Sequence, residues 1–312
     1  MPLPIRASAP ADAVALSSGV ASAAPPAAES PRGRPGARTA LRWSLALIIL
    51  LGLVAVFAPQ IAPYPPTEQP DITGLKNRAP SIAHPFGTDQ YSRDVLSRVV
   101  FGARVSLAVG TLAVLLSATI GTFYGLVAGF LGGRVDTVLM RVLDAFLAIP
   151  RVLLLVALLS LWSPVPLPAL IVIIGCTGWF EVSRMVRAEV LSVVRREYII
   201  AARALGVPAV RVIWRHVLPN VVAPVLVAAT LAVGNVIILE AGLSYLGIGV
   251  QAPAASWGSI FFDGSDAFQS TWWVALFPGL AILVTVLAFN ALGDALRDLL
   301  DPQQLPGAAR RP

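Results

Sequence analysis

Reactive side chains are scarce in this sequence, and each scarcity excludes something. One cysteine, Cys176, rules out an intramolecular disulfide, and its place in the apolar run Leu170 to Cys176 makes it inert filler. A phosphate-cradling loop of the Walker type needs a lysine followed by Ser or Thr. The single lysine, Lys76, stands between Leu75 and Asn77, so the chain has no such ATP site and no bound cofactor of its own is expected. Two histidines, His84 and His216, fall on opposite faces of the membrane in the topology developed below, which leaves no catalytic set and no enzyme active site. A metal reading of His84 with Asp89 and Asp94 is the weaker one, because a capped turn uses the same residues and no second histidine is near.

Charge is also in short supply. Only 13% of the 312 residues are charged while 56% are hydrophobic, which excludes an ordinary soluble domain and indicates an all-α membrane protein. The net charge of +6 comes almost wholly from arginine. Where arginines flank apolar runs on one side they set orientation, and no nucleic-acid partner is needed to explain them.

What is present is a succession of apolar runs. Residues 1–40, rich in Ala, Pro, Ser and Gly, read as a disordered cytoplasmic tail, with Arg32, Arg34, Arg38 and Arg42 crowded against the first span. Trp43 to Ile61 is long enough to cross, and Pro63, Pro65 and Pro66 stop it. A polar external segment follows, so that 41–102 forms one unit. In it Pro85 and Gly87 make a turn, and Thr88 or Asp89 can cap a helix running toward Arg104. Further spans are expected over about 105–130, 138–162, 167–182, 221–243 and 273–292, six in all with the first. Gly121, Gly125 and Gly129 recur every four residues, a face for close helix packing. In the third span Arg141 can pair with Asp144; the competing reading has Asp144 or Arg151 facing a water-filled path. Asn235 and Glu240 lie in the outer half of the fifth span, and Trp257, Trp272 and Trp273 suit an outer aromatic belt. Residues 298–312 form a second cytoplasmic tail.

The most informative stretch is the loop over residues 184–220. From Glu197 to Asn220 it reads as two short helices broken at Gly206, with Pro208 in the first turn of the second and Pro219 ending it. Arg211 and Arg215 share one face, Val210, Ile213 and Val217 another, and Arg195, Arg196 and Arg203 decorate the first helix. Such a loop suits docking on a partner at the membrane face, or lying on anionic lipid.

Ala201-Ala202, three residues, Gly206, then nine residues to His216-Val-Leu218-Pro219 resembles the coupling loop, the so-called EAA loop, of ABC-importer permeases. Ile200 and His216 depart from the general pattern. Those departures, with Arg203-Ala-Leu-Gly and Leu-Pro-Asn, resemble the dipeptide, oligopeptide and nickel branch. The string from His84 to Arg98, with Ser92 where relatives have Gly, and the segment from Glu240 to Gly249 with Ser256-Trp257-Gly258 resemble the same branch, the latter at its external gate. The likeness covers about residues 41–302.

It implies a type I importer (MetI-like) fold with its core over 103–297, and ATP hydrolysed by partner subunits. The implied partners are a second homologous permease in a heterodimer, two ABC ATPases and an extracytoplasmic solute-binding protein. The implied location is a prokaryotic cytoplasmic (inner) membrane with both termini inside. Glu197, Tyr198, Ala201, Ala202, Arg203, Gly206, Arg211, His216 and Pro219 are the expected coupling residues. Asp144, Arg151, Asn235 and Glu240 are candidates for path or gate. The cargo would be a peptide or related small solute. A stand-alone secondary transporter or channel is the alternative, and it would need inverted repeats or intramembrane ion sites.

Overall fold

The computed structural model describes residues 36–265 and 268–300. The expected N-terminal tail up to residue 35, with Arg32 and Arg34, and the C-terminal tail from Asp301 onward lie outside the described residues. Among the described residues, five helices are long and apolar enough to cross a membrane, or six if one bent pair counts as a span.

Helix α1 (Ala37–Val56) is followed by the short α2 (Ala58–Ile61), which starts on Pro59 in its first turn. The long α3 (Val95–Leu131) begins ten residues before the expected span. Its start is fixed by Asp94, whose Oδ2 accepts from the Ser97 N–H at 2.7 Å and from Ser97 Oγ at 2.7 Å. The capping residue is therefore Asp94, not Thr88 or Asp89. At roughly 1.5 Å per residue α3 exceeds a bilayer core of about 30 Å, so its first turns stand beyond the apolar layer.

A glycine turn leads to α4 (Gly133–Leu147) and then α5 (Arg151–Leu159), bent by 74° from each other. The expected third span over about 138–162 is thus two pieces, because Pro150 cannot continue α4 and instead stands at the N-cap of α5. The expected Arg141–Asp144 pair is not formed. Asp144 bonds to Arg184, and Asp136 takes both Nε and Nη2 of Arg187, the latter at 2.6 Å. Two carboxylates eight residues apart on one face of α4 meet two arginines three apart on α6 (Leu167–Val194), a match across helices that i,i+3 spacing within α4 does not reveal.

Helices α3 and α6 make the closest seam. A Cβ at Gly121, Gly125 or Gly129 would come under 3.0 Å from Val182, Val186 or Val190, so these glycines are what let the two backbones approach. After α6 come α7 (Glu197–Ala204), α8 (Ala209–Val212), a π-helical turn over Ile213–Val217 and α9 (Leu218–Tyr245). Finally α10 (Trp257–Ser265) tucks against α3, α9 and α11 (Trp272–Leu300).

Of the three tryptophans expected in a surface belt, only Trp272 is exposed. Trp257 is buried against Gly102, with Nε1 donating to the Val99 carbonyl at 2.9 Å, and Trp273 donates to the Thr88 carbonyl at 3.1 Å. Each indole finds a backbone acceptor in the core, and that acceptor lies far away in sequence.

Candidate functional site

The loop between α6 and α9 is built from a buried inner face and an exposed outer one. Ile199, Val212 and Val217 pack with Val186, Val190, Val193 and Val221 in one cluster that fastens both short helices to α6 and α9. The expected apolar face was Val210, Ile213 and Val217. The structure buries Val212 and Val217 and exposes Val210, because the π turn adds a residue and shifts the register.

Gly206 ends α7 in the left-handed region at φ +77, its N–H donating to the Arg203 carbonyl at 3.0 Å while Val207 N–H reaches the Ala202 carbonyl at 3.1 Å. Pro208 is the residue before α8 and gives its carbonyl to Arg211 and Val212. Pro219 does not end a helix. It occupies the first turn of α9, where the missing N–H is not needed, and the chain runs as one helical rod from Ala209 to Tyr245.

The outer face carries Leu205, 84% exposed, with Ile200, Val210 and Trp214 also exposed among Arg195, Arg196, Arg211 and Arg215. Glu197, Tyr198 and Ala201 are exposed beside them and Ala202 is half-buried. Arg203 turns back instead, its guanidinium 4.5 Å from the centre of the Phe130 ring at the end of α3. His216 lies with its ring 6.1 Å from that of Tyr198, and its carbonyl accepts from Asn220 Nδ2 at 2.7 Å.

Within the helices the four path candidates separate. Arg151 and Asn235 line one cavity of about 380 Å³ between α3, α6 and α9, together with Ser117 and Glu181. Asp144 is held by Arg184 and is not part of its lining. Glu240 is 1% exposed, and its Oε1 accepts from Ser244 Oγ and Ser256 Oγ, both at 2.7 Å. It ties α9 to the start of α10.

The opposite end of α3 holds a buried charge cluster. Asp89 accepts from the N–H groups of Tyr91 and Arg93, from Arg93 Nε at 2.7 Å and from Arg98 Nη1 at 2.6 Å. Asp263 of α10 receives the other arms of both arginines, at 3.0 and 2.8 Å. Ser92 adopts φ +61, and its hydroxyl donates to the Ile72 carbonyl at 3.1 Å, which offsets the strain that a glycine would avoid. His84 Nδ1 sits 2.9 Å from Asp94 Oδ1, and no group of three or more metal-ligand side chains occurs among the described residues. Asp263 lies 165 positions beyond Arg98, so no local signal announced this link.

Residues 121–305 match the family described as binding-protein-dependent transport system inner membrane component, and residues 39–80 match the N-terminal transmembrane domain of oligopeptide transport permease C. The chain is similar to the oligopeptide transport system permease protein OppC of Bacillus subtilis (strain 168), 41% identical over 261 residues, spanning 83% of this chain and 84% of that protein. It is 40% identical over 260 residues to the dipeptide transport system permease protein DppC of the same organism, spanning 83% and 80%. The di/tripeptide transport system permease protein DppC of Pseudomonas aeruginosa (strain UCBPP-PA14) is 38% identical over 265 residues, 83% of this chain and 86% of that one. Among solved structures, a chain of the MetNI methionine ABC transporter in an inward-facing conformation superposes with a TM-score of 0.56 at 19% identity, covering 66% of this chain and 98% of that one. That likeness is one of fold.

Proposed function

Because the chain belongs to the binding-protein-dependent transport system inner membrane components, as a multi-pass inner-membrane permease subunit of an ABC importer that works with ATPase and solute-binding partners and is not itself catalytic, we propose how its parts divide the work. The loop around Gly206 is the contact for the ATPases, and the rod from Ala209 to Tyr245 carries its displacement into the membrane. The cargo is a peptide, as it is for the relatives named above.

The observation that carries this reading is the continuity of α8, the π turn and α9. A loop joined to a span by a flexible link would absorb a push. Here the exposed Val210 and Arg211 stand in the first turn of a helix whose middle walls the Arg151 cavity, so movement at that end tilts the wall. Closure of the ATPases on ATP moves α7 and α8, and Ile199, Val212 and Val217 pull α6 with them through the shared valine cluster.

The finer assignments rest on the same reading. The assembly is a heterodimer with a second, related permease and two ATPases, and the ATP they hydrolyse is the only nucleotide involved. The arginine-rich elbow and both termini face the cytoplasm, since Arg195, Arg196, Arg211 and Arg215 gather at that end. The 41–102 unit faces outward, and the core over 103–297 holds the path.

Purified with its partners in vesicles, the protein should take up dialanine only when ATP and the binding protein are supplied. Arg211→Glu should abolish co-purification of the ATPases while the chain still inserts in the membrane. Nucleotide-independent uptake by the chain alone would sink the reading.

A further inference from the structure

Arg151 stands at the start of α5 with its guanidinium laid across α6. Gly178 makes that position possible, because a Cβ there would lie 3.0 Å from Arg151 Nη2 and 2.7 Å from Ser117 Oγ. Nη2 donates to the Ile174 carbonyl at 3.2 Å, and the buried Nε has no acceptor among the described residues. No carboxylate of the described residues pairs with it, although α4 and α6 pair their other facing charges at Asp136–Arg187 and Asp144–Arg184. A cation at membrane depth without a direct ion pair is costly, and Arg151 meets its nearby opposite charge, Glu181, across the cavity rather than in a closed pair like those of its neighbours.

The cavity into which Arg151 opens lies at the middle of three spans, lined by Ser117 of α3, Gly178 and Glu181 of α6 and Asn235 of α9. Its volume of about 380 Å³ falls in the range of roughly 300–1,000 Å³ usual for small-ligand sites. Gly178 and Glu181 are three residues apart on α6 and so share a face. Glu181 therefore stands about one turn along α6 from the glycine that Arg151 overlies. The walls thus offer one cation, one anion and two neutral hydrogen-bonding groups. A dipeptide carries the complementary set, an ammonium and a carboxylate up to roughly 7 Å apart with a peptide group between them.

We propose that this cavity is an intramembrane subsite for the free termini of a short peptide, with Arg151 receiving the carboxylate, Glu181 the ammonium, and Ser117 and Asn235 the peptide group. The assignment rests on the permease reading for its cargo, but the chemistry follows from the cavity. Because α9 forms one wall, tilting of the Ala209–Tyr245 rod changes the distance of Asn235 from Arg151 and opens or closes the subsite.

The test uses the whole transporter, with its partner subunits, in lipid nanodiscs without nucleotide. The probe is a dipeptide of alanine and a diazirine-bearing leucine, photolysed and mapped by mass spectrometry. Labelling is expected on α6 and α9 residues of the cavity, reduced about tenfold by Arg151→Gln, the loss of one charge-assisted hydrogen bond. Dialanine should compete about tenfold better than dialanine amide, and the two should compete equally in Arg151→Gln. N-acetyl-dialanine should be the weaker competitor in the unaltered protein and lose that handicap in Glu181→Gln. Absent cavity labelling, or amide and acid competing equally in the unaltered transporter, overturns the subsite, and this last comparison decides the matter even if Arg151→Gln fails to assemble. ATP-driven uptake without cavity labelling would overturn the subsite and leave the permease reading standing. Cavity labelling with nucleotide-independent uptake would do the reverse.

Discussion

At the Val95 end of α3, Arg93 and Arg98 each bond to both Asp89 and Asp263, with Asp89 and Arg98 buried and Arg93 and Asp263 partly exposed. At the other end of the molecule, Arg211 and Arg215 are exposed and meet no carboxylate among the described residues, while Arg203 has only the Phe130 ring. The first region balances two arginines with two carboxylates within one chain. The second has its apolar floor buried and its charges and Leu205 left outward, which is the condition of a surface built for another protein.

The sharpest way to break this contrast is to remove a charge from each end. Arg98→Ala leaves Asp89 buried with half its counter-charge, and loss of a buried partner costs about 3–5 kcal/mol. Thermal unfolding in detergent should show a marked fall for Arg98→Ala and none for Arg211→Ala. Equal effects would mean that the buried cluster is no more structural than the exposed loop.

Gly206→Val comes next in size. A β-branched residue at φ +77 costs about 1–3 kcal/mol locally, yet no atom lies within 4 Å of the position a Cβ would take. The span should still insert, and the damage should appear in coupling: ATP-driven uptake down at least about tenfold, with the folded fraction by size exclusion nearly unchanged.

Smaller in stability, though not in function, is Leu205→Ser combined with Val210→Ser. Both side chains are exposed, so unfolding should shift by less than about 0.5 kcal/mol. Co-purification of the ATPases should fall sharply. Retention of the ATPases would turn the loop from a docking face into a connector lying on lipid.

How much of this contrast could be read beforehand depended on whether its causes were local. The break at Gly206 was legible because a left-handed stop followed by proline is a property of neighbouring residues. The apolar runs were legible because length and composition set them, and the glycine ladder because its period of four marks one helix face. Asp263 as the partner of Arg93 and Arg98, and Val99 as the acceptor for Trp257, were not legible, since each is chosen by packing of elements more than 150 positions apart. Pro219 misled for a different reason. A proline reads as a helix end unless the preceding turn has already released the N–H it lacks, and the π turn over Ile213–Val217 does that without any sequence mark. The Arg151 cavity was half legible: the charge was evident, whereas Gly178, which makes room for it, is meaningful only once α3 and α6 are side by side.

The smallest expected effect tests the boundary between the two regions. Asp144 and Arg184 are both more than half exposed, and an exposed pair contributes about 0–1 kcal/mol, so Asp144→Asn should barely change unfolding. Asp136 is far less exposed and takes two arms of Arg187, so Asp136→Asn should cost more. The transport readout is the sharper part. Asp144 was a candidate for the path on the strength of its charge alone, but its carboxylate is turned to α6 and away from the cavity that Arg151 and Asn235 share. Uptake by Asp144→Asn should therefore stay near that of the unaltered transporter while Arg151→Gln loses it. If Asp144→Asn lost uptake as fully with assembly intact, the water-filled route would have to pass along α4, and the division of charges into paired supports and an unpaired ligand group would fail at that helix.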